Sequence, residues 1–131
     1  MKETSFAGNF LNILKEQYSD LWELNVHGHE MQRSGVLDYV ICIEGKLICI
    51  EFKIQRNNKI KMMPLQQKEF NDIKKSKGIS LIIAYDEDKG EILIRKMPLK
   101  IQQEKYINID WDFVYHDLHN AANVVKLMRG E

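Results

Sequence analysis

The chain lacks most of the features that would place it outside the cytosol. It has only two cysteines in 131 residues, Cys42 and Cys49, and neither belongs to a Cys-x-x-Cys pair of the zinc-binding kind. No run approaches the roughly 18 apolar residues of a membrane span, and the N-terminus does not begin with the charged-then-apolar pattern of a signal peptide. Net charge is absent too: 19 Lys and Arg balance 19 Asp and Glu, which argues against a uniformly basic nucleic-acid binder. A 15.5 kDa chain that is 44% apolar and 29% charged is expected to be one domain over residues 1–131, able to bury a core without staples.

The charge is neutral in sum but unevenly placed. From Lys53 to Lys77 there are eight Lys and Arg (Lys53, Arg56, Lys59, Lys61, Lys68, Lys74, Lys75, Lys77) against Glu69 and Asp72, a local +6 balanced by −6 elsewhere. Such a run can also be a solvated loop and helix face.

Hydrophobic periodicity sets out the elements. Phe6, Phe10, Ile13 and Leu14 predict a helix from about Thr4 to Gln17, with Thr4 or Ser5 as N-cap. Trp22, Leu24 and Val26 predict a strand within Leu21 to His29. After a polar excursion from Gln55 to Lys61, Pro64 suits a first helical position, and Leu65, Phe70 and Ile73 give the stripe of a helix running to about Ser76, ending near Gly78. Strands follow at Ile79 to Tyr85 and Glu91 to Arg95. Trp111, Val114, Leu118, Ala121, Val125 and Met128 fall near helical spacing and predict a last helix from Asp110 to Arg129. The order implies a mixed α/β architecture, one central sheet flanked by helices.

The segment Val36 to Ile54 carries the chemistry. Two β-branched runs meet at Glu44-Gly45, and a two-residue hairpin loop there sets Ile43 opposite Lys46. Counting outward sets Asp38 opposite Glu51, while Cys42 and Cys49 are not opposed and read as buried reduced thiols. Two carboxylates with Cβ atoms roughly 4.5–5.5 Å apart repel, and a divalent cation would compensate them. Alternation turns Glu51 and Lys53 to one face and Ile50, Phe52 and Ile54 to the core. A solvated face with an accidental acid pair is the plainer alternative. His27-Gly28-His29-Glu30 lacks further matched ligands and reads as phosphate contact or surface rather than a metal site. Met62-Met63, Trp111 and Phe113 read as core or interface packing.

Three motifs in order, Gly35-x-x-Asp38, Ile50-Glu51-Phe52-Lys53 and Pro64-Leu65-Gln66 opening a helix that ends at Gly78, resemble the PD-(D/E)XK nucleases, and within them the VRR-NUC type. The resemblance spans roughly Leu21 to Tyr85. Where the family usually has Pro before the first Asp, this chain has Leu37. The resemblance implies a restriction-endonuclease-like fold whose catalytic hairpin lies in the central mixed sheet. It implies that Asp38, Glu51 and the backbone carbonyl of Phe52 bind Mg²⁺ or Mn²⁺, a hard cation that prefers oxygen ligands and retains water. Lys53 would orient or help deprotonate the attacking water and neutralise charge on the scissile phosphate. Gln66, at the positive end of its helix, would hold water or phosphate, with Gln67 as the neighbouring alternative. An acid of the first helix would complete the site, with Glu3 preferred to Glu16. Arg56, Lys59, Lys61, Lys68, Lys74 and Lys75 would grip DNA phosphates. The implied function is a structure-directed DNA endonuclease of junction or flap type, acting as a homodimer in the cytoplasm. A non-catalytic nucleic-acid-binding protein on the same fold is the rival reading.

Overall fold

The computed structural model describes residues 2–25 and 39–128. Within them the order is α1 (Glu3–Gln17), β1 (Trp22–Asn25), β2 (Tyr39–Ile43), β3 (Lys46–Gln55), β4 (Ile60–Lys61), α2 (Pro64–Lys75), β5 (Ile79–Asp86), β6 (Glu91–Lys96), β7 (Tyr106–Ile107), β8 (Phe113–Tyr115) and α3 (Leu118–Met128). Six strands form a mixed sheet in the order β1-β2-β3-β5-β6-β8, parallel only at β3–β5, and β4 pairs with β7 in a second, two-stranded sheet. Parallel neighbours need a crossover, and α2 supplies it. The expected mixed α/β class, a central sheet with helices on it, is what forms.

Helices cover both faces. The stripe Phe6, Phe10, Leu11 and Leu14 of α1 packs, with Ala121, Ala122 and Val125 of α3, against Ile41, Ile43, Ile48, Ile50, Phe52 and Ile83. An aromatic set sits at its centre: the Phe52 ring meets Phe6 at 5.9 Å, Phe10 at 5.8 Å and Tyr39 at 5.3 Å, two of these edge-on, the geometry that ring quadrupoles favour. On the opposite face Phe70 of α2 joins Ile60, Met62, Ile82, Leu93 and Ile107.

The turns form as their chemistry requires. Glu44 (φ 48°) and Gly45 (φ 83°) both take the left-handed conformation, as a type I′ hairpin needs, and β2–β3 run in register from Ile43–Lys46 to Tyr39–Ile50. Pro64 opens α2. The helix closes with paired bonds, Gly78 N–H to Ile73 O (2.9 Å) and Lys77 N–H to Lys74 O (3.0 Å), with Lys77 left-handed at φ 70°. Gly78 is needed for proximity: a Cβ there would stand 2.7 Å from Ile73 Cγ2.

Four expectations are corrected. The segment before α3 is not helical, because β6 claims it: Asp112 N–H donates to Ile94 O (2.9 Å), Lys96 N–H to Asp112 Oδ2 (2.7 Å) and Arg95 Nη1 to Asp110 O (2.8 Å). The cap of α3 is therefore Asp117 rather than Asp110, its Oδ1 accepting from His119 N–H (2.6 Å) and Asn120 N–H (3.3 Å). The N-cap of α1 is Lys2, without a side-chain bond, rather than Thr4 or Ser5. In α2 the buried positions are Gln67 and Phe70, and Leu65 is exposed. The excursion after Gln55 also holds a second tight turn, Arg56-Asn57-Asn58-Lys59, with Asn57 and Asn58 left-handed and Arg56 and Lys59 exchanging both backbone bonds at 3.0 Å.

Candidate active site

Strand β3 sends alternate side chains to opposite faces, so Glu51, Lys53 and Gln55 emerge together on the face where Gln66 of α2 reaches Glu51. All three are buried: Glu51 is 1% exposed and Lys53 7%. Burial of this row was not expected from the alternation alone. Taking a carboxylate and an ammonium out of water costs several kcal/mol per ion, so their retention requires good partners. Lys53 Nζ stands 3.2 Å from Glu51 Oε2. The Gln66 amide donates to the same oxygen at 3.3 Å, and its own Oε1 accepts from Met63 N–H, also at 3.3 Å. One amide thus closes the first turn of α2 and grips the carboxylate, a task for a group that is donor at one end and acceptor at the other. Because both contacts run to Oε2, they fix the carboxylate's orientation and with it the position of Oε1.

Of the two adjacent glutamines, it is Gln66 that reaches Glu51. Gln67 turns away into the second core, donating to Met62 O (2.9 Å) and Gln102 O (3.0 Å) and accepting from Gln102 N–H (2.8 Å). Next along β3, Gln55 donates to Asp86 Oδ2 (2.8 Å) and accepts from Trp111 Nε1 (3.0 Å), and Asp86 Oδ1 takes the N–H groups of Asp88 and Lys89. This chain ties the end of β3 to the β5–β6 turn. Trp111, assigned to packing, is also a polar tether that sequence spacing did not reveal.

Asp38, with His27, His29 and Glu30, lies outside the described residues. The hairpin register that underlies the Asp38–Glu51 opposition is the one observed from Ile43 to Tyr39. Phe52 separates Glu51 from Lys53 and carries its ring into the opposite core. Glu16 lies in the last turn of α1, 3.8 Å from His119 Nε2. Glu3, in its first turn, lines a cleft with Lys2, Ile54 and Arg56. Among the described residues no three His, Cys, Asp or Glu side chains converge as a metal site. Cys42 and Cys49 are free and half-buried, and burial pushes the Cys49 thiol up.

The predicted phosphate-gripping cations divide into two groups. Lys68, Lys74 and Lys75 are exposed on α2, with Lys68 Nζ 2.7 Å from Asp72. Arg56, Lys59 and Lys61 line the Glu3 cleft, and Arg56 donates to Glu87. Alternation places Arg56 with Ile54, on the face of β3 opposite to Glu51 and Lys53. Among the described residues no helix is long and apolar enough to cross a membrane.

Neither a family model nor a curated protein sequence matches this chain. Among solved structures it is similar to the 1.6 Å structure of Archaeoglobus fulgidus Hjc, a Holliday junction resolvase from an archaeal hyperthermophile. The TM-score is 0.63 at 13% identity, over 91% of this chain and 98% of that one. The likeness shows the fold, a restriction-endonuclease-like arrangement.

Proposed function

We propose that this chain is an endonuclease of the VRR-NUC type that hydrolyses phosphodiester bonds in branched DNA with Mg²⁺ or Mn²⁺, acting in the cytoplasm as a single-domain protein that pairs into a homodimer. The observation that supports it most is the buried convergence of Glu51, Lys53 and Gln66, on a fold shared with a protein described as a Holliday junction resolvase. A buried ion pair is weak evidence for stability, since an apolar pair of similar volume is often as good or better. A chain that keeps such a pair beside two well-filled cores has another use for it.

The donor set suits a hard cation. Glu51 offers carboxylate oxygen and Phe52 a carbonyl, and the sequence adds Asp38, so the ligands would all be oxygen, as Mg²⁺ and Mn²⁺ prefer. Bound there, the ion would polarise the scissile phosphate and supply a more acidic water. The chain's own groups do the rest. Gln66 holds the Glu51 carboxylate in one orientation, so no reorganisation is required when substrate arrives. Lys53 brings a positive charge to the same oxygen, within reach of a phosphate drawn to the site, where it orients the attacking water or offsets the charge that grows on phosphorus-bound oxygens. The exposed cations of α2 hold the flanking backbone, contacts that position DNA without reading its sequence. A homodimer would present two such sites to two strands of a junction.

The test incubates the protein with a four-way junction, a flap and a linear duplex, with and without Mg²⁺, and measures its mass in solution. Cutting of the branched forms only in Mg²⁺ by a dimer is expected. Junction binding without cutting under any divalent ion would reduce the chain to a binding protein and reject the enzyme reading.

A further inference from the structure

A cleft of about 730 Å³ opens between the start of α1 and the β3–β4 ribbon, and it gathers Glu3, expected at the metal, with Arg56, Lys59 and Lys61, expected on DNA phosphates. Four cations line it, Lys2, Arg56, Lys59 and Lys61, against one carboxylate, Glu3. Arg56 and Lys59 are bridged directly across the Asn57-Asn58 turn, and like charges in that relation are destabilising unless an anion lies between them or near them. Arg56 meets part of that need through Glu87. The second notable feature is Tyr106, also in the lining. It is 54% exposed, pairs with Lys61 across β4–β7, and has Lys105 Nζ 5.8 Å from its ring centroid. Cations beside an exposed aromatic ring form a stacking platform with a charged rim.

We propose that this cleft is a second nucleic-acid contact, on the face of β3 opposite to Glu51, that takes an unpaired single strand: Lys2, Arg56, Lys59 and Lys61 hold its phosphates and Tyr106 stacks a base. The size is that of a small-ligand cleft, suited to a nucleotide or two rather than to a duplex. Bases in a duplex are already stacked, whereas an unpaired base gains the ring face outright. The cleft begins at Ile54, the residue after Lys53, so a strand leaving the candidate active site around the end of β3 would enter it. The inference rests on the nuclease reading for its ligand class, and it adds a preference for DNA with an unpaired arm.

The experiment measures binding in EDTA, without turnover, by fluorescence anisotropy. The probes are a labelled single strand of about 12 nucleotides and a blunt duplex of the same sequence. Tyr106→Ala should weaken single-strand binding roughly tenfold while barely moving duplex binding, and Tyr106→Phe, which keeps the ring, should bind like the unaltered protein. Lys59→Glu with Lys61→Glu should flatten the log-log salt dependence for the single strand by about 1.4, two lost phosphates at roughly 0.7 each. Circular dichroism melts of each variant separate lost binding from lost fold. Unchanged single-strand affinity and salt slope in folded variants would overturn the proposal. So would equal losses on single strand and duplex. Either result would leave the nuclease reading standing if the unaltered protein cuts branched DNA in Mg²⁺. Absence of that cutting would reject the nuclease reading without touching the anisotropy result.

Discussion

Two rows of side chains leave β3 on opposite faces and are buried alike, yet their chemistry could hardly differ more. Ile50, Phe52 and Ile54 enter the α1–α3 core, while Glu51, Lys53 and Gln55 lie buried on the other face. Water loss stabilises the first row by itself, at about 25 cal/mol per Å² of apolar surface. The same loss costs the second row several kcal/mol per ion, which its hydrogen bonds and ion pair roughly offset. Equal burial thus hides unequal purpose. The apolar row holds the sheet together, and the polar row is a constraint on the fold that the proposed chemistry would explain.

That contrast can be broken from either side. The largest effect should come from the apolar row: Phe52→Ala should cost about 3–5 kcal/mol of stability, seen as a lower denaturant midpoint. The variant keeps the backbone carbonyl assigned to the metal, so whatever fraction stays folded should still cut. In the polar row, Lys53→Ala should slow single-turnover cleavage by about 10²–10⁴ while DNA binding in Ca²⁺ hardly changes. A tenfold loss of binding at an unchanged saturated rate would make Lys53 an anchor instead. Lys53→Met fills a similar volume but takes the cation away from the buried Glu51 carboxylate, so it should also lower stability, by about 3–5 kcal/mol at pH values where Glu51 is ionised.

Smaller effects lie away from both rows. Lys74→Glu with Lys75→Glu should flatten the salt dependence of duplex binding by about 1.8 log-log units, and an unaltered slope would show these lysines to be only a solvated face. The smallest belongs to Arg56 and Glu87. The Arg56 guanidinium, donating to Glu87, holds its carboxyl below the usual range. A folded-state pKa below the unfolded one contributes stability above the unfolded value and loses it as pH falls through the folded one. Arg56 is exposed and Glu87 only partly covered, so solvent screens the pair and any melting-temperature difference between the native chain and Glu87→Gln should be slight at neutral pH. It should vanish in acid and in 1 M salt.

What was legible in the sequence is what local chemistry decides. Glu44-Gly45 and Pro64 set the hairpin register and the start of α2, and alternation then put Glu51 and Lys53 on one face. Burial of that face was not legible, because it depends on where the crossover lays α2. Helical phase decided between Gln66 and Gln67 only once Gln67 was seen in the core, a place periodicity gave to Leu65. Trp111 and Val114 mimicked helical spacing, and the Arg95 and Asp112 contacts that hold them extended are non-local. The two-residue strands β4 and β7 carry too little pattern to read. The turn that shapes the basic cleft reads in the sequence only as part of a polar excursion, although Asn57-Asn58 could have signalled it, since asparagine tolerates the left-handed conformation.

The most direct test is Glu51→Gln, which keeps the size and shape of the side chain at the centre of the polar row and removes its charge. Thermal melts with and without Mg²⁺, alongside junction cleavage, read both halves of the comparison at once. The account predicts that Mg²⁺ raises the melting temperature of the native chain and not of the variant. The variant should stay folded and bind junction DNA, and its cleavage should be abolished. A Glu51→Gln protein that cuts at the native rate, or that fails to fold, would contradict it.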